Sequence, residues 1–368
     1  MPSQPIPVTA PAKATLSDRV YVYTIHVAKV LTASVYGLLT QPFTSGKRPP
    51  SLYRNVIYTI VRANINSLNS RQQQWILPST EQCYLALAMS KGFQPETEVL
   101  HGSNARLHWL GSKNADKILL YFHGGGFSLP CSDAHFLWAF EVQQELNKGR
   151  ESTFSIAFLN YTLAPEGQYP KQLQQAAEAL EYLIEKGGKK PEDVYIGGDS
   201  AGGNITLAVL SQLLHPHVKV PYLKNGISSP LAGTVLISPW ASFSTNFDSA
   251  TRNQYSDYVT GITARRWSSA FLGTSAGDSY SEPGHAPADW FSGLEKVVQD
   301  IFVWGGGGEV LIDSIDDIYT TLRNSHPRVE YVVQPNSSHE EFIIDKTLGY
   351  THKADGTKAI EKWFLMRI

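Results

Sequence analysis

The sequence predicts an α/β protein built on a mostly parallel, eight-stranded sheet flanked by helices. Three observations lead there. Short apolar runs recur at 98–100, 106–110, 118–122, 154–159, 193–196, 233–237, 300–304 and 329–333. Helical patterns at 134–146, 171–186, 201–214, 310–323 and 356–366 alternate with them, as parallel strands and their crossovers require. Runs such as Ile118-Leu119-Leu120-Tyr121-Phe122 are apolar throughout, which suits strands covered on both faces.

Taken in order, residues 1–16 are rich in Pro, Ala and Ser, lack a basic start, and are expected to form a disordered tail rather than a secretory signal. Ser17 or Asp18 is expected to cap a helix running to about Leu39. Its stretch 20–39 is nearly long enough to span a bilayer, but His26 and Lys29 near its middle are costly in hydrocarbon. The expectation is a helix lying on the protein or shallowly on a membrane surface, a peripheral contact. A Gly/Pro loop follows at 41–50. A second helix is expected over 51–66, with Leu52, Val56, Ile57, Ile60 and Val61 at helical spacing. Residues 17–95 thus read as an N-terminal helical cap element and 96–368 as the main domain. Between 241 and 294 the strand signal lapses into a polar and aromatic segment with Trp267, Phe271, Trp290 and Phe291, expected to be a cap insertion over the site.

Composition narrows the function classes. Hydrophobic residues make up 42% and charged residues 17%, enough apolar mass for a large core. The net charge of −2 offers no basic surplus for nucleic acid and no acidic tail. Cys83 and Cys131 lie far apart and make neither a disulfide framework nor a metal site, so both are expected to be buried thiols in a reducing, cytoplasmic setting. No signal bears on oligomeric state.

The chemistry collects at strand ends, where open α/β sheets bind ligands. After the run 193–196 comes Gly198-Asp199-Ser200-Ala201-Gly202-Gly203-Asn204. Gly198-x-Ser200-x-Gly202 fits a nucleophile elbow, a strained strand-to-helix turn that exposes the serine hydroxyl above the sheet. The five residues alone also fit an ordinary glycine-rich turn, so the rest of the chain must supply the partners. After the run 118–122 comes His123-Gly124-Gly125-Gly126-Phe127. Successive glycines leave backbone N–H groups unshielded, and acyl transfer needs such donors for its oxyanion. The amide of Ala201, next to the serine, is the other expected donor.

Serine needs a base, and the base an orienting carboxylate. Of eleven histidines, only His339 stands in a loop just after the last predicted strand, in Ser337-Ser338-His339-Glu340-Glu341-Phe342. His123 reads as a structural partner of its glycine loop. His215-Pro216-His217 lacks a third metal ligand, and His101 and His108 fall on early strands. Glu309 is the first carboxylate after the run 300–304; Asp313, Asp316 and Asp317 lie deeper in the following helix and are expected to face away or bond locally. The order Ser200, Glu309, His339 is the nucleophile–acid–histidine order of α/β-hydrolases.

Together these motifs resemble the hormone-sensitive-lipase-like, or fold-3, branch of the α/β-hydrolases. His123–Phe127, the stretch Tyr161-Thr162-Leu163-Ala164-Pro165-Glu166 with Tyr169-Pro170, the serine elbow and Ser338-His339 occur in the family's order from about Lys117 onward. The resemblance implies an α/β-hydrolase fold and oxyanion donors carried by Gly125 and Gly126 with Ala201. The family's acid usually opens an Asp-x-Leu-x-Asp pattern; here Glu309-Val310-Leu311-Ile312-Asp313 is one methylene longer at its first position. Fungal esterases and secondary-metabolite pathway hydrolases of the family are similar here. The resemblance implies a serine carboxylester hydrolase acting through an acyl-enzyme on a hydrophobic small-molecule ester, such as an acetylated or lactone natural product or a short-chain ester, with no cofactor or metal. Two other readings stand beside it. One is a biosynthetic enzyme of a polyketide-type pathway that uses the same triad for release or cyclisation. The other is a non-catalytic ligand-binding receptor on the same fold.

Overall fold

Strands that are apolar along their whole length stack at the centre of the molecule. The computed structural model describes residues 14–40, 49, 51–151 and 153–368. Its strands are β1 (Glu96–Val99), β2 (Arg106–Leu110), β3 (Lys117–Phe122), β4 (Phe154–Asn160), β5 (Val194–Asp199), β6 (Gly233–Ile237), β7 (Ile301–Gly306) and β8 (Val329–Gln334). They form one sheet in the order β1-β2-β4-β3-β5-β6-β7-β8. β2 runs antiparallel to both neighbours, and every later pairing is parallel. β5, β6 and β7 are buried at every residue, whereas the edge strands β1 and β8 are half-exposed. Side chains alternate between two core layers: Ile118, Leu120 and Phe122 enter one, Leu119 and Tyr121 the other. Fully burying a leucine of this kind contributes about 1.5–3 kcal/mol.

Register places the site. Phe122 pairs with Gly198, Asp199 with Ile237, Ile237 with Trp304, and Gly306 with Gln334. The parallel strands therefore end together, and the loops carrying Gly125, Ser200, Glu309 and His339 leave the sheet along one edge.

Several boundaries move from expectation. The first helix runs from Leu16 to Thr40, and its cap is Thr15 rather than Ser17 or Asp18. Thr15 Oγ1 accepts the Asp18 amide while the Asp18 carboxylate accepts the Thr15 amide, a reciprocal capping box. Leu16 is thus helical rather than part of a tail. The rest of the expected tail, 1–13, lies outside the described residues, as does most of the loop 41–50. Leu52–Ser67 is a helix as expected. Two further helices, Ser70–Ile76 and Thr80–Lys91, fill the stretch to 95. Each starts with a capping box, Asn69 with Gln72 and Ser79 with Gln82, and the second ends on Gly92 at φ +73°. The helix expected from Val310 begins only at Ile312, and the Val310 amide donates to the Asp257 carboxylate.

The helix Leu52–Ser67 links the outer helix to the strand ends. Tyr21 Oη donates to the Ser67 carbonyl at 2.9 Å, His26 Nδ1 pairs with Ser67 Oγ at 2.8 Å, and Asn55 donates to the Gly37 carbonyl at 3.1 Å. On its other side Arg62 donates to the Asp257 carbonyl, Arg266 to the Ile65 carbonyl, and Tyr58 Oη bonds Ser338 Oγ at 2.6 Å. Residues 241–294 carry no strand of the sheet; their helices are Asp248–Arg252 and Gly261–Leu272.

Candidate active site

Ser200 follows β5 directly, at φ 50° and ψ −115°, and caps the helix Ala201–Leu214. The turn is held by backbone bonds: the Ser200 amide donates to the Ile237 carbonyl at 2.9 Å, and the Ser200 carbonyl accepts the Trp240 amide at 2.9 Å. Glycine is needed on both sides because strand and helix touch. A Cβ on Gly202 would overlap the Phe122 carbonyl oxygen, and one on Gly198 would lie 2.5 Å from the Gly202 carbonyl carbon. The positive φ at Ser200 costs on the order of 1–3 kcal/mol, held by the surrounding packing. Ser200→Gly relieves it, and is expected to exceed Ser200→Ala in unfolding free energy by about 1 kcal/mol after the unfolded-state entropy of glycine is subtracted. Urea denaturation of the two variants measures this, and equal midpoints would contradict a strained elbow.

The glycine loop is anchored at both ends. The Gly124 amide donates to Asp199 Oδ2 at 2.8 Å. His123 stacks on Tyr161 with ring centroids 4.4 Å apart, and Tyr161 Oη donates to the His123 carbonyl at 2.9 Å. Burial pushes His123 down to about 4, so it stays neutral and structural. Phe127, at φ 59°, stacks on Phe271 at 3.8 Å. Between these anchors Gly125 and Gly126 adopt φ of 94° and 58°. The amides of Gly125, Gly126 and Ala201 donate to no hydrogen bond among the described residues, so they are available to an anion.

Glu309 and His339 meet because two loops pack without side chains between them. A Cβ on Gly306 would overlap the Ser337 carbonyl oxygen, and one on Gly308 would lie 3.1 Å from the Asn336 carbonyl oxygen. Glu309 is fully buried. Its Oε1 accepts the Gly306 amide at 2.6 Å and the Ser238 hydroxyl at 2.9 Å, and its Oε2 lies 2.6 Å from His339 Nδ1. Burial would lower the basicity of His339, but the hydrogen bond and charge of Glu309 outweigh it and raise the imidazole above its ordinary 6.5. His339 Nε2 faces Glu340 Oε1 at 3.4 Å. The Ser200 hydroxyl makes no hydrogen bond among the described residues.

The remaining candidates fall elsewhere. Asp313 accepts the Ser249 amide and pairs with Arg252 at 2.8 Å, and Asp316 accepts Tyr331 Oη. His215 bonds the Trp290 carbonyl, and His217 accepts the Lys219 amide. Cys83 and Cys131 are buried free thiols. Three residues around the pair were not foreseen. Ser238, at φ 44°, donates to Glu309; Glu340 lies beside His339; and Asp257, pushed to about 6 by burial, with His339 lowering it and Glu309 raising it, sits near both. Glu340 adjoins a candidate in sequence and could have been considered. Asp257 comes from a segment with no motif. The site is covered: Ser200 is 7% and His339 3% exposed, the Tyr258 ring lies 6.0 Å from the imidazole, and the Trp267 indole lies against Gly126.

A parallel sheet with a serine elbow, a glycine loop and a Glu–His pair along one edge defines the α/β-hydrolase class. Residues 119–343 match the family described as alpha/beta hydrolase fold, and the chain belongs to that family. Among its relatives, an arylacetamide deacetylase of Oryctolagus cuniculus is 33% identical over 130 residues, 34% of this chain and 32% of the relative. An acetyl-hydrolase of Streptomyces hygroscopicus is 27% identical over 224 residues, 60% of this chain and 66% of the relative. The chain thus matches between about a third and two thirds of their lengths. Among solved structures, a bacterial esterase of the hormone-sensitive lipase family superposes with a TM-score of 0.62 at 21% identity, over 86% of this chain and 97% of the other. A fungal esterase structure from work on Rhizomucor miehei gives 0.59 at 19% identity, over 74% and 80%.

Proposed function

We propose that this chain is a serine carboxylester hydrolase. The observation that carries the proposal is the buried Glu309–His339 pair, closed at 2.6 Å on the sheet edge where Ser200 stands in its elbow. In this reading His339 Nε2 takes the Ser200 proton as Oγ attacks the ester carbonyl, and Glu309 holds the Nδ1 proton and supports the imidazolium. The amides of Gly125, Gly126 and Ala201 receive the oxyanion. The alcohol leaves with the proton from His339, and water, activated by the same imidazole, releases the acid from the acyl-enzyme.

The aromatic surroundings favour a hydrophobic ester: Phe127, Trp240, Phe271, Tyr258 and Trp267 are all buried around the strand ends. The relatives named as acetyl-hydrolase and arylacetamide deacetylase support a small acyl group. Residues 17–95 and 241–294 act as the cap, a role supported by the Tyr58–Ser338 and Trp267–Gly126 contacts. The test is turnover of p-nitrophenyl acetate and butyrate with fluorophosphonate labelling of Ser200; absence of both turnover and labelling would sink the reading.

The outer helix Leu16–Thr40 is the element of the cap that meets a membrane surface. It is long and apolar enough to cross a bilayer, and little of it is buried. Val20, Val27, Leu31, Val35 and Leu38 are all exposed along it, while Val22, His26 and Gly37 face the protein. The full chain is expected to float with phosphatidylcholine vesicles, and Leu31→Glu with Leu38→Glu to release it. A wild-type chain that stays at the bottom of the gradient would contradict this role.

A further inference from the structure

Glu340 has features that the triad chemistry leaves unexplained. It holds φ 47° and ψ 34°, a left-handed conformation that residues with a side chain seldom adopt. Its carboxyl group is nevertheless turned inward, and the residue is 6% exposed. Oε1 is buried, receives no N–H or O–H from any described group, and lies 3.4 Å from His339 Nε2. The carboxyl group lies within 4.8 Å of that of Asp199. A Cβ on Gly124 would meet both Asp199 Oδ2 and Glu340 Oε1, so the two oxygens crowd the same glycine.

Two buried carboxyl groups this close need a cation or a proton between them. His135, Asp199 and Glu340 offer ligand atoms within 4.8 Å of one another, so both solutions must be weighed. The donors around Asp199 favour the proton. Tyr121 Oη donates to Oδ1 at 2.7 Å, the Gly124 amide donates to Oδ2 at 2.8 Å, and His135 Nε2 lies 3.0 Å from Oδ2. Hydrogens already point at this carboxylate, and a metal ion would face them. Asp199 is therefore the ionised partner: burial works against its charge, but His135 and the hydrogen bonds outweigh it and hold it below the ordinary carboxylate range. Glu340 is the neutral one, pushed well up by burial first and then by Asp199, Glu309 and Asp257. The other titratable groups facing it are His339 in its own loop, His135 beside Asp199, and three buried phenols, Tyr121, Tyr161 and Tyr258, which stay neutral.

We propose that Glu340 is a positioning residue that shares one proton with Asp199 and so ties the loop carrying His339 to the loop carrying Gly125 and Gly126. The inference rests on the hydrolase reading above. Base and oxyanion donors stand on different strand ends, and Asp199–Glu340 is the hydrogen-bonded bridge between them. Keeping Glu340 neutral also spares His339 a second carboxylate, which would make Nε2 too basic to return its proton to the leaving alcohol.

Two substitutions and one spectrum test this. Glu340→Gln keeps a neutral donor toward Asp199, and is expected to hold kcat within about threefold of wild type while removing an alkaline loss of activity that wild type shows as Glu340 ionises. Glu340→Gly suits the positive φ and so folds, and is expected to lower kcat about tenfold or more with KM little changed. Infrared difference spectra of wild type against Glu340→Gln should contain a protonated carboxyl C=O band at neutral pH. This readout needs no turnover, so it separates failure of the bridge from failure of the hydrolase reading. Absence of that band, wild-type kcat and pH profile in Glu340→Gly, a Gln variant as impaired as the Gly variant, or a stoichiometric divalent metal lost on Glu340→Gln would each overturn the proposal.

Discussion

Ser200→Ala is expected to lower kcat/KM for p-nitrophenyl acetate by roughly 10⁴–10⁶-fold and to abolish fluorophosphonate labelling, leaving the fold intact. His339→Ala should lose about as much, and the double variant little more, because nucleophile and base act as one unit. The residual rate reports the amides of Gly125, Gly126 and Ala201. Removing the serine oxygen costs the structure little, since the turn is held by backbone bonds to Ile237 and Trp240 rather than by the hydroxyl. Near wild-type turnover in Ser200→Ala would move the chemistry to another residue and discard the proposed mechanism.

Glu309→Gln is the second large effect. The amide keeps the size of the side chain, but it can present an N–H to His339 Nδ1 and favour the wrong tautomer, a change worth up to about 10⁴-fold in a comparable triad. The pH profile adds a signed readout. In the wild type, kcat/KM falls as pH drops through the raised titration of His339, because imidazolium cannot accept the Ser200 proton. Glu309 raises that titration most, ahead of Asp257 and Asp199, so without it the acidic limb moves to lower pH. Asp313→Asn should leave both rate and profile close to wild type, since Asp313 serves Ser249 and Arg252. A larger loss at Asp313 than at Glu309 would show that the wrong carboxylate had been assigned.

Most of this architecture is written in local patterns. Uninterrupted apolar runs between turn residues read as strands covered on both faces, and β5, β6 and β7 are buried at every residue. The elbow is equally local, because Gly198 and Gly202 answer to contacts within one strand–turn–helix unit. The glycine run at 305–308 was passed over, although a Cβ on Gly306 or Gly308 would crowd the Ser337 and Asn336 carbonyls. Other features were legible but passed over: the capping boxes at Asn69 and Ser79 mark two helices that apolar periodicity alone did not single out.

Residues whose meaning depends on distant partners were out of reach. Ser238 donates to Glu309 across 71 positions, and Asp257 reaches the Val310 amide across 53. Neither sits in a pattern, because a buried hydrogen bond between loops leaves no periodicity behind. Glu340 could be seen beside His339, but read in isolation it is a charged residue expected at the surface. Strand periodicity and glycine spacing settle the sheet, its edge and the residues that gather there, since both arise from contacts a few residues apart. Burial settles the rest. Which carboxylate holds His339, and which carboxyl group keeps its proton, depend on the desolvation and neighbouring charges that appear once five loops close over one edge of the sheet.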